Sequence, residues 1–596
     1  MNKFIETFCI LCIKKRFLTI NNELNFVKKK SDFYIALLMR KKYHSFLNIF
    51  VLLFYSASFT QTNNKWISPV DFPIKLSGTF GEFRNNHFHA GLDIKTQGKQ
   101  GIKIRSSNSG WVNRIRVSLN GYGKALYVDH LDGTTSVYGH LKKFSPKIES
   151  YLKKKQYENE SYVIQLFPKV NELKIEKGEV IGYSGNTGGS YGPHLHFEIR
   201  KEKGQVPINP MKYSFLINDS KRPQIQNFYL YTNLDSKLEK KEFKLVRKND
   251  SVYTSSGIIS AGNFYVGLRL FDRQDLTYNK NGIYSVRVSL NGEEKFFYKM
   301  DRMTFDDSKY INLIIDYEEL ASKRKRIQLF TLHPEQKLSF IKDNSLKGDI
   351  NIDKDKSYQI LIEVNDYNQN TSYIEAYITG TVKKEFNIET TKNLIDPDKE
   401  YLFEFQDQKV FFPKKSFFNK VNVKVDRKGD TLLVGENVHP LRKSYAVHYK
   451  IPKGDSIEIS QSFLSFINKN GDPTFFSSTI KDGFWYGKSN ILGKYIVSRD
   501  SVSPEIKKIN FKDQQWLSNY KYLKLKISDD FSGIKKIRGE INGRWILLEY
   551  DPKSKNLIYD FSDLNFKKPL HKLVILAEDK AGNKTVFKTE FYRKPK

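Results

Sequence analysis

The chain has 596 residues, a formal net charge of +33 and only two cysteines. That length accommodates about four domains at ~100–200 residues each. The lysines are scattered rather than striped, and Lys, Asn, Ile, Phe and Tyr are abundant together, as an AT-rich coding sequence gives; a dedicated nucleic-acid binder is therefore not expected.

In chain order, Met39-Arg-Lys-Lys is followed by the short apolar run 46–55 and by the small residues Ser56-Ala-Ser. That order reads as a secretory signal peptide over 39–60, with 1–38 a mis-assigned upstream extension. The apolar run is too short to span a bilayer, which needs about 20 residues, so no transmembrane anchor is expected. The expected location is the periplasm or cell envelope. Cys9 and Cys12 both fall in the discarded piece, leaving a mature chain without disulfides, thiolate chemistry or cysteine-ligated metal.

Residues 62–215 alternate short β-type runs, such as Gly110-Trp-Val-Asn-Arg-Ile-Arg-Val and Ala125-Leu-Tyr-Val-Asp, with Gly- and Asn-rich turns. This predicts an antiparallel β domain; 144–160 is either a short helix or an exposed insertion. Beyond it lies a diverged repeat. Asp219-Ser-Lys-Arg-Pro-Gln-Ile recurs as Asp500-Ser-Val-Ser-Pro-Glu-Ile, and a segment ending in Asn291-Gly292 recurs ending in Asn542-Gly543. Each copy closes on an aspartate and an asparagine with three residues between, Asp366 and Asn370, then Asp579 and Asn583. Asn-Gly is a strong hairpin signal because a type I′ turn needs positive φ at two successive residues. The expected domains are 216–383, with an insertion near 300–350, then 384–498 and 499–596. The fold class is all-β: an antiparallel β domain followed by three β-sandwich domains of immunoglobulin-like type.

Six of the eleven histidines lie between 87 and 196. They fall in His89-Ala-Gly-Leu-Asp93, Tyr138-Gly-His140-Leu141 and Gly192-Pro-His194-Leu-His196-Phe-Glu198, with His87 and His130 nearby. Imidazoles with a carboxylate and no cysteine are the ligand chemistry of a catalytic rather than a structural zinc ion. On a strand, His194 and His196 share a face and Glu198 continues the row. Glu198 either supports a ligand imidazole or forms a salt bridge. A cupin would place its glutamate further on, with a later third histidine, and the spacing here does not fit. The stretch Ser184-Gly-Asn-Thr-Gly-Gly-Ser-Tyr-Gly192 lacks a Gly-Lys-[Ser/Thr] ending and runs into a strand, so it reads as a turn lining a groove rather than a phosphate loop.

These motifs, in this order, resemble the lysostaphin/LytM-type zinc endopeptidases over about residues 75–212. The resemblance implies a metallopeptidase domain in which His89, Asp93 and His196 bind one Zn2+ while His140 and His194 are catalytic. Three protein ligands leave a fourth tetrahedral position for water and lower its pKa towards ~7. His140 and His194 are then candidates for general base and oxyanion stabiliser, in either assignment. His87 is expected to line the groove and His130 to be an ordinary strand histidine. The implied function is an exported zinc endopeptidase cleaving peptide bonds of peptidoglycan cross-links or stem peptides during wall remodelling. The alternative is a non-catalytic envelope adaptor that binds peptidoglycan and activates another hydrolase. The β-sandwiches are candidates to engage an envelope protein partner.

Overall fold

Period-two alternation governs most strands. On Ser357–Asn365 the inward side chains are Ile360, Ile362 and Val364, and on Leu570–Asp579 they are Leu573, Ile575 and Ala577. The central strands of the first sheet break the rule: Lys124–His130, Thr135–Leu141 and most of His194–Lys201 are buried on both faces, as central strands covered from both sides are. The computed structural model describes residues 66–595 except 202–203, 214, 216, 235–236, 335, 342–345 and 384–392. The expected signal peptide, the upstream extension and both cysteines lie outside the described residues. Of two compact units, Met1–Lys65 and Trp66–Lys596, the second holds every described residue.

The chain is all-β. Its first large sheet has nine strands, with the main order Leu76–Gly78, Leu92–Lys95, His194–Lys201, Thr135–Leu141, Lys124–His130, Gly110–Val117 and Ile164–Leu166. A three-stranded sheet of Lys103–Arg105, Val180–Tyr183 and Lys143–Phe144 accompanies it. The segment 144–160 contains a helix, Pro146–Glu158. Pro146 opens it, where a missing N–H costs nothing, and Ile148, Leu152 and Gln156, spaced four apart, form its buried face.

The apolar core of this sheet continues without a break into residues 217–378, whereas 395–495 and 511–591 each have a core of their own. The sheets themselves do not cross between these segments. The two repeat copies share a strand order: Val252–Ser260 pairs in parallel with Thr371–Thr381, as Gln515–Trp516 does with Lys584–Tyr592. Both Asn-Gly pairs have positive φ at each residue, 49° and 85° at Asn291 and Gly292, 53° and 76° at Asn542 and Gly543, as a type I′ hairpin requires. The recurring aspartate–asparagine pair is a latch. Asn370 Nδ2 donates to Asp366 and to the carbonyl of Asp219, and Asn583 Nδ2 donates to Asp579 and to the carbonyl of Asp500.

The chain then returns to its beginning. Residues 395–495 meet the preceding sandwich through Tyr317 and Asn437, and the last one through Gln461 and Asn583. The last sandwich docks on the first sheet: Lys124 Nζ lies 2.8 Å from Glu549, Tyr157 packs edge-on against Trp545, and Lys153 pairs with Asp563. Lys553 Nζ donates to the carbonyls of Asn186 and Ser190. No described helix is long and apolar enough to cross a membrane.

Candidate metal centre

Strand register brings the site together. His196 stands opposite Asp93 across the pair of His194–Lys201 with Leu92–Lys95, and directly opposite residues project to the same face. His89 arrives from the hairpin formed by Phe83–Arg84 and His87–Phe88. On the other side of His196 the register places Gly139, not His140. His140 has φ of +58°, a left-handed conformation uncommon for any side chain but glycine. That break in the alternation turns its ring towards the site, with centroids 5.8 Å from His196 and 4.7 Å from His194.

Three atoms converge. His89 Nε2 and His196 Nδ1 are 3.0 Å apart, and each lies close to Asp93 Oδ1, at 3.1 and 2.9 Å. His89, Asp93 and His196 are all buried and form a group able to hold a metal ion. Their outer atoms are held from behind. His89 Nδ1 donates to the Thr79 carbonyl at 2.7 Å, and His196 Nε2 donates to Glu198 Oε1 at 2.7 Å. With those outer N–H groups engaged, the inward nitrogens are the ones presented to a metal. Asp93 Oδ2 is clamped by Arg84 Nη2 at 2.5 Å, leaving Oδ1 to face the histidines. Glu198 does both of the things expected of it as alternatives: it accepts from His196 and pairs with Arg200 Nε at 2.6 Å.

The electrostatics favour a cation. Burial opposes charge on His196, yet hydrogen bonds from it to Asp93 and Glu198 outweigh burial and push its pKa up to about 9, a positive charge that a metal ion at Nδ1 would supply in place of the ring proton. Burial also disfavours ionised Asp93, but His89 and the hydrogen bonds from His194 and His196 hold it well below the usual carboxylate range. Elsewhere burial wins: His89 is lowered to about 4 despite the opposing pull of Asp93, and His140 to about 3, the latter also by the neighbouring His196 and His194. Both are neutral at neutral pH. Two imidazole nitrogens and one carboxylate oxygen, with no sulfur, fit Zn2+.

His140 and His194 sit beside this group. His140 Nδ1 donates to the Thr187 carbonyl at 2.8 Å and His194 Nδ1 to the Gly192 carbonyl at 2.9 Å. Each Nε2 faces the metal group, and that of His194 lies 3.4 Å from Asp93 Oδ1. The glycine-rich loop thus lines the groove, and it does so with carbonyls. His87 lies at the exposed hairpin tip, bonded to the Asn85 carbonyl. His130 is buried with Ser109, Ser136 and the Trp66 ring, as a strand histidine would be.

Four contributors had escaped sequence reading. Thr79 and Thr187 act through backbone carbonyls, for which side-chain identity carries no signal. Arg84 has no motif spacing to Asp93. Tyr122 stacks on the His196 ring at 4.8 Å from a different turn.

A histidine–aspartate–histidine group on an antiparallel sheet, with two further histidines turned towards it, is the arrangement of a metallopeptidase domain. Residues 87–157 and 167–210 match the model of peptidase family M23, and the chain carries a peptidase M23 domain. It is 33% identical over 123 residues to the DD-carboxypeptidase/endopeptidase Mpg of Neisseria meningitidis serogroup B, covering 21% of this chain and 22% of Mpg. Over 140 residues it is 26% identical to the cell division protein DipM of Caulobacter vibrioides, covering 23% and 19%. The chain thus spans about a fifth of the length of the curated relatives it matches. Among solved structures, the catalytic domain of lysostaphin from Staphylococcus simulans aligns at 23% identity over 24% of this chain and 91% of that one, with a TM-score of 0.18.

Proposed function

We propose that the protein is a zinc-dependent endopeptidase of the cell envelope that cleaves peptide bonds in peptidoglycan cross-links or stem peptides. The observation that carries this reading is the convergence of two imidazole nitrogens and one carboxylate oxygen, with two backbone-oriented histidines at their edge. His89, Asp93 and His196 hold the ion. When bound, zinc supplies Lewis acidity to the scissile carbonyl and activates water.

The rest is the work of this chain's own groups. His194 and His140, whose Nε2 atoms face the metal group, divide between them the removal of a proton from the attacking water and its return to the leaving amine. In protonated form either can donate to the developing oxyanion. Arg84 keeps Asp93 monodentate, and the Arg200–Glu198 pair keeps His196 in its metal-binding tautomer. The sandwiches behind the sheet, read as domains over 216–383, 384–498 and 499–596, position it on the wall or engage an envelope partner. Mpg, a DD-carboxypeptidase/endopeptidase by name, supports a peptide-cutting role. An adaptor that binds wall material without cutting it would have no use for the intact set of five residues.

The test is mass spectrometry of muropeptides released from purified sacculi. The zinc-loaded protein releases cleaved peptides, while His140→Ala and His194→Ala variants release none and retain their zinc. Release unaffected by both substitutions would sink the reading.

A further inference from the structure

A second cluster of acidic side chains lies away from the histidines, at the seam between the peptidase sheet and the first sandwich. Ligand oxygens of Asp219, Asp272 and Asp366 all fall within 4.8 Å of one another. Asp272 and Asp366 are 4% and 3% exposed. Such proximity in a buried setting is costly unless something positive sits among the carboxylates. Among the described residues no lysine or arginine makes an ion pair with any of the three.

Acidic clusters are common, and this one is distinguished by what faces it. Asn281 pairs with Asp272 across an isolated antiparallel bridge, N–H to carbonyl in both directions at 2.8 and 3.0 Å. Their side chains therefore share a face. Asn281 is 3% exposed, and neither its Oδ1 nor its Nδ2 has a partner; Asp272 Oδ1 has none either. A buried amide with both ends unsatisfied is costly, and native structures rarely leave one so. Both residues, with Asp219 and Asp366, line a cavity of about 40 Å³, enough for an ion with a water, since one water needs roughly 10–15 Å³.

We propose that Asp219, Asp272, Asp366 and the Asn281 amide oxygen form a calcium-binding site. The donors are all oxygen, which excludes the preferences of zinc or copper. Calcium takes 6–8 oxygens at about 2.3–2.6 Å in loose geometry, so carboxylate oxygens that all lie within 4.8 Å of one another can reach a single ion. Burial and mutual repulsion push Asp272 up to about 8 and Asp219 to about 6, the strain an ion would relieve.

The C-terminal repeat copy has solved the same problem differently. Asp219 and Asp500 each accept from the N–H two residues on, but Asp500 also accepts from that of Ser532, and Asp529 from those of Phe531 and Gly533. These additional backbone donors offset the charge in the C-terminal copy, so one calcium per chain is expected. The site also has a route to the histidines. Gly282, next to Asn281, exchanges hydrogen bonds with the Thr79 hydroxyl, and the Thr79 carbonyl orients His89.

The experiment is equilibrium dialysis of the full chain against radioactive calcium with zinc held saturating, together with thermal unfolding. One calcium per chain is expected, with a dissociation constant of about 10⁻⁴ M, as for extracellular modules, and added calcium raises the unfolding temperature. Asp272→Asn, which removes charge without changing shape, loses the calcium, keeps its zinc, and unfolds higher than the unsubstituted protein when calcium is absent. Asp530→Asn, in the C-terminal cluster, leaves calcium binding unchanged. Failure to retain calcium at millimolar concentration would mean that a proton or water fills the cavity, and would overturn the proposal. Equal calcium binding by Asp272→Asn, or its loss in Asp530→Asn, would overturn it too.

Discussion

Glu198→Gln isolates the support behind the proposed zinc ligand His196. In the native site one carboxylate oxygen accepts from His196 Nε2 at 2.7 Å and the other from Arg200 Nε at 2.6 Å, with the Glu198 side chain fully buried. A carboxylate accepts at both ends, and an amide at only one. With the amide carbonyl turned to His196, its NH2 meets the Arg200 N–H donor to donor. The buried guanidinium then keeps only the Gly204 carbonyl at 3.2 Å and the faces of Tyr127 and Phe305. Breaking a buried pair from one side costs about 3–5 kcal/mol, and those residual contacts place this case near about 3. With the NH2 turned to His196, Nε2 must accept, the ring proton moves to Nδ1, and a metal lone pair is lost. Either outcome weakens zinc binding by about 10–100-fold, or roughly 1.4–2.7 kcal/mol. A competition titration against a zinc-chelating dye reads the affinity, and thermal unfolding reads the stability. A folded Glu198→Gln protein with unsubstituted zinc affinity would refute the idea that this carboxylate sets the tautomer.

Other consequences are open to the same instruments. A Cβ on Gly78 would lie 2.2 Å from Arg84 Nη2 and 2.8 Å from Asp93 Oδ2, so Gly78→Ala expels Arg84 from its clamp and weakens zinc by about 10-fold; unchanged affinity would make Arg84 dispensable. Glu549→Gln strands Lys124, only 4% exposed, at the docking face. Because Glu549 itself is partly solvated, the expected loss is about 1–3 kcal/mol, and an unmoved urea midpoint would count against that contact. Burial lowers the pKa of His130, opposed by its bond to the Ser109 carbonyl. The unfolded chain, near ~6.5, therefore binds the proton more readily. The stabilisation is present above that pH and is lost as pH falls below it. His130→Asn should flatten the dependence of unfolding temperature on pH between 7.5 and 5, and a slope unchanged by the substitution would rule His130 out as its source.

Much of the site was legible in the sequence because its parts are local. His194, His196 and Glu198 alternate on one strand, and His89 and Asp93 bracket a single glycine-containing turn. The β character was equally plain from alternation and Asn-Gly turns. What could not be read was anything carried by backbone or by distant pairing. Thr79 and Thr187 contribute carbonyls that every residue possesses. Arg84 reaches Asp93 only because Gly78 clears the space between them. The helix over Pro146–Glu158 was ambiguous because its outward face is nearly all Lys, Glu and Tyr, so only three buried side chains carry its periodicity. The aspartate–asparagine pairs stood out as a repeat, yet their latching role depends on a carbonyl about 150 residues upstream in one copy.

Lys553 joins two places that the polypeptide keeps 367 positions apart. Its ammonium bridges Asn186 and Ser190, the residues on either side of the carbonyl that orients His140. Load applied to the tail of the molecule is thus delivered to a single imidazole. Under the proposed function, a version trimmed to its first sheet would keep its ion but lose this brace beside His140.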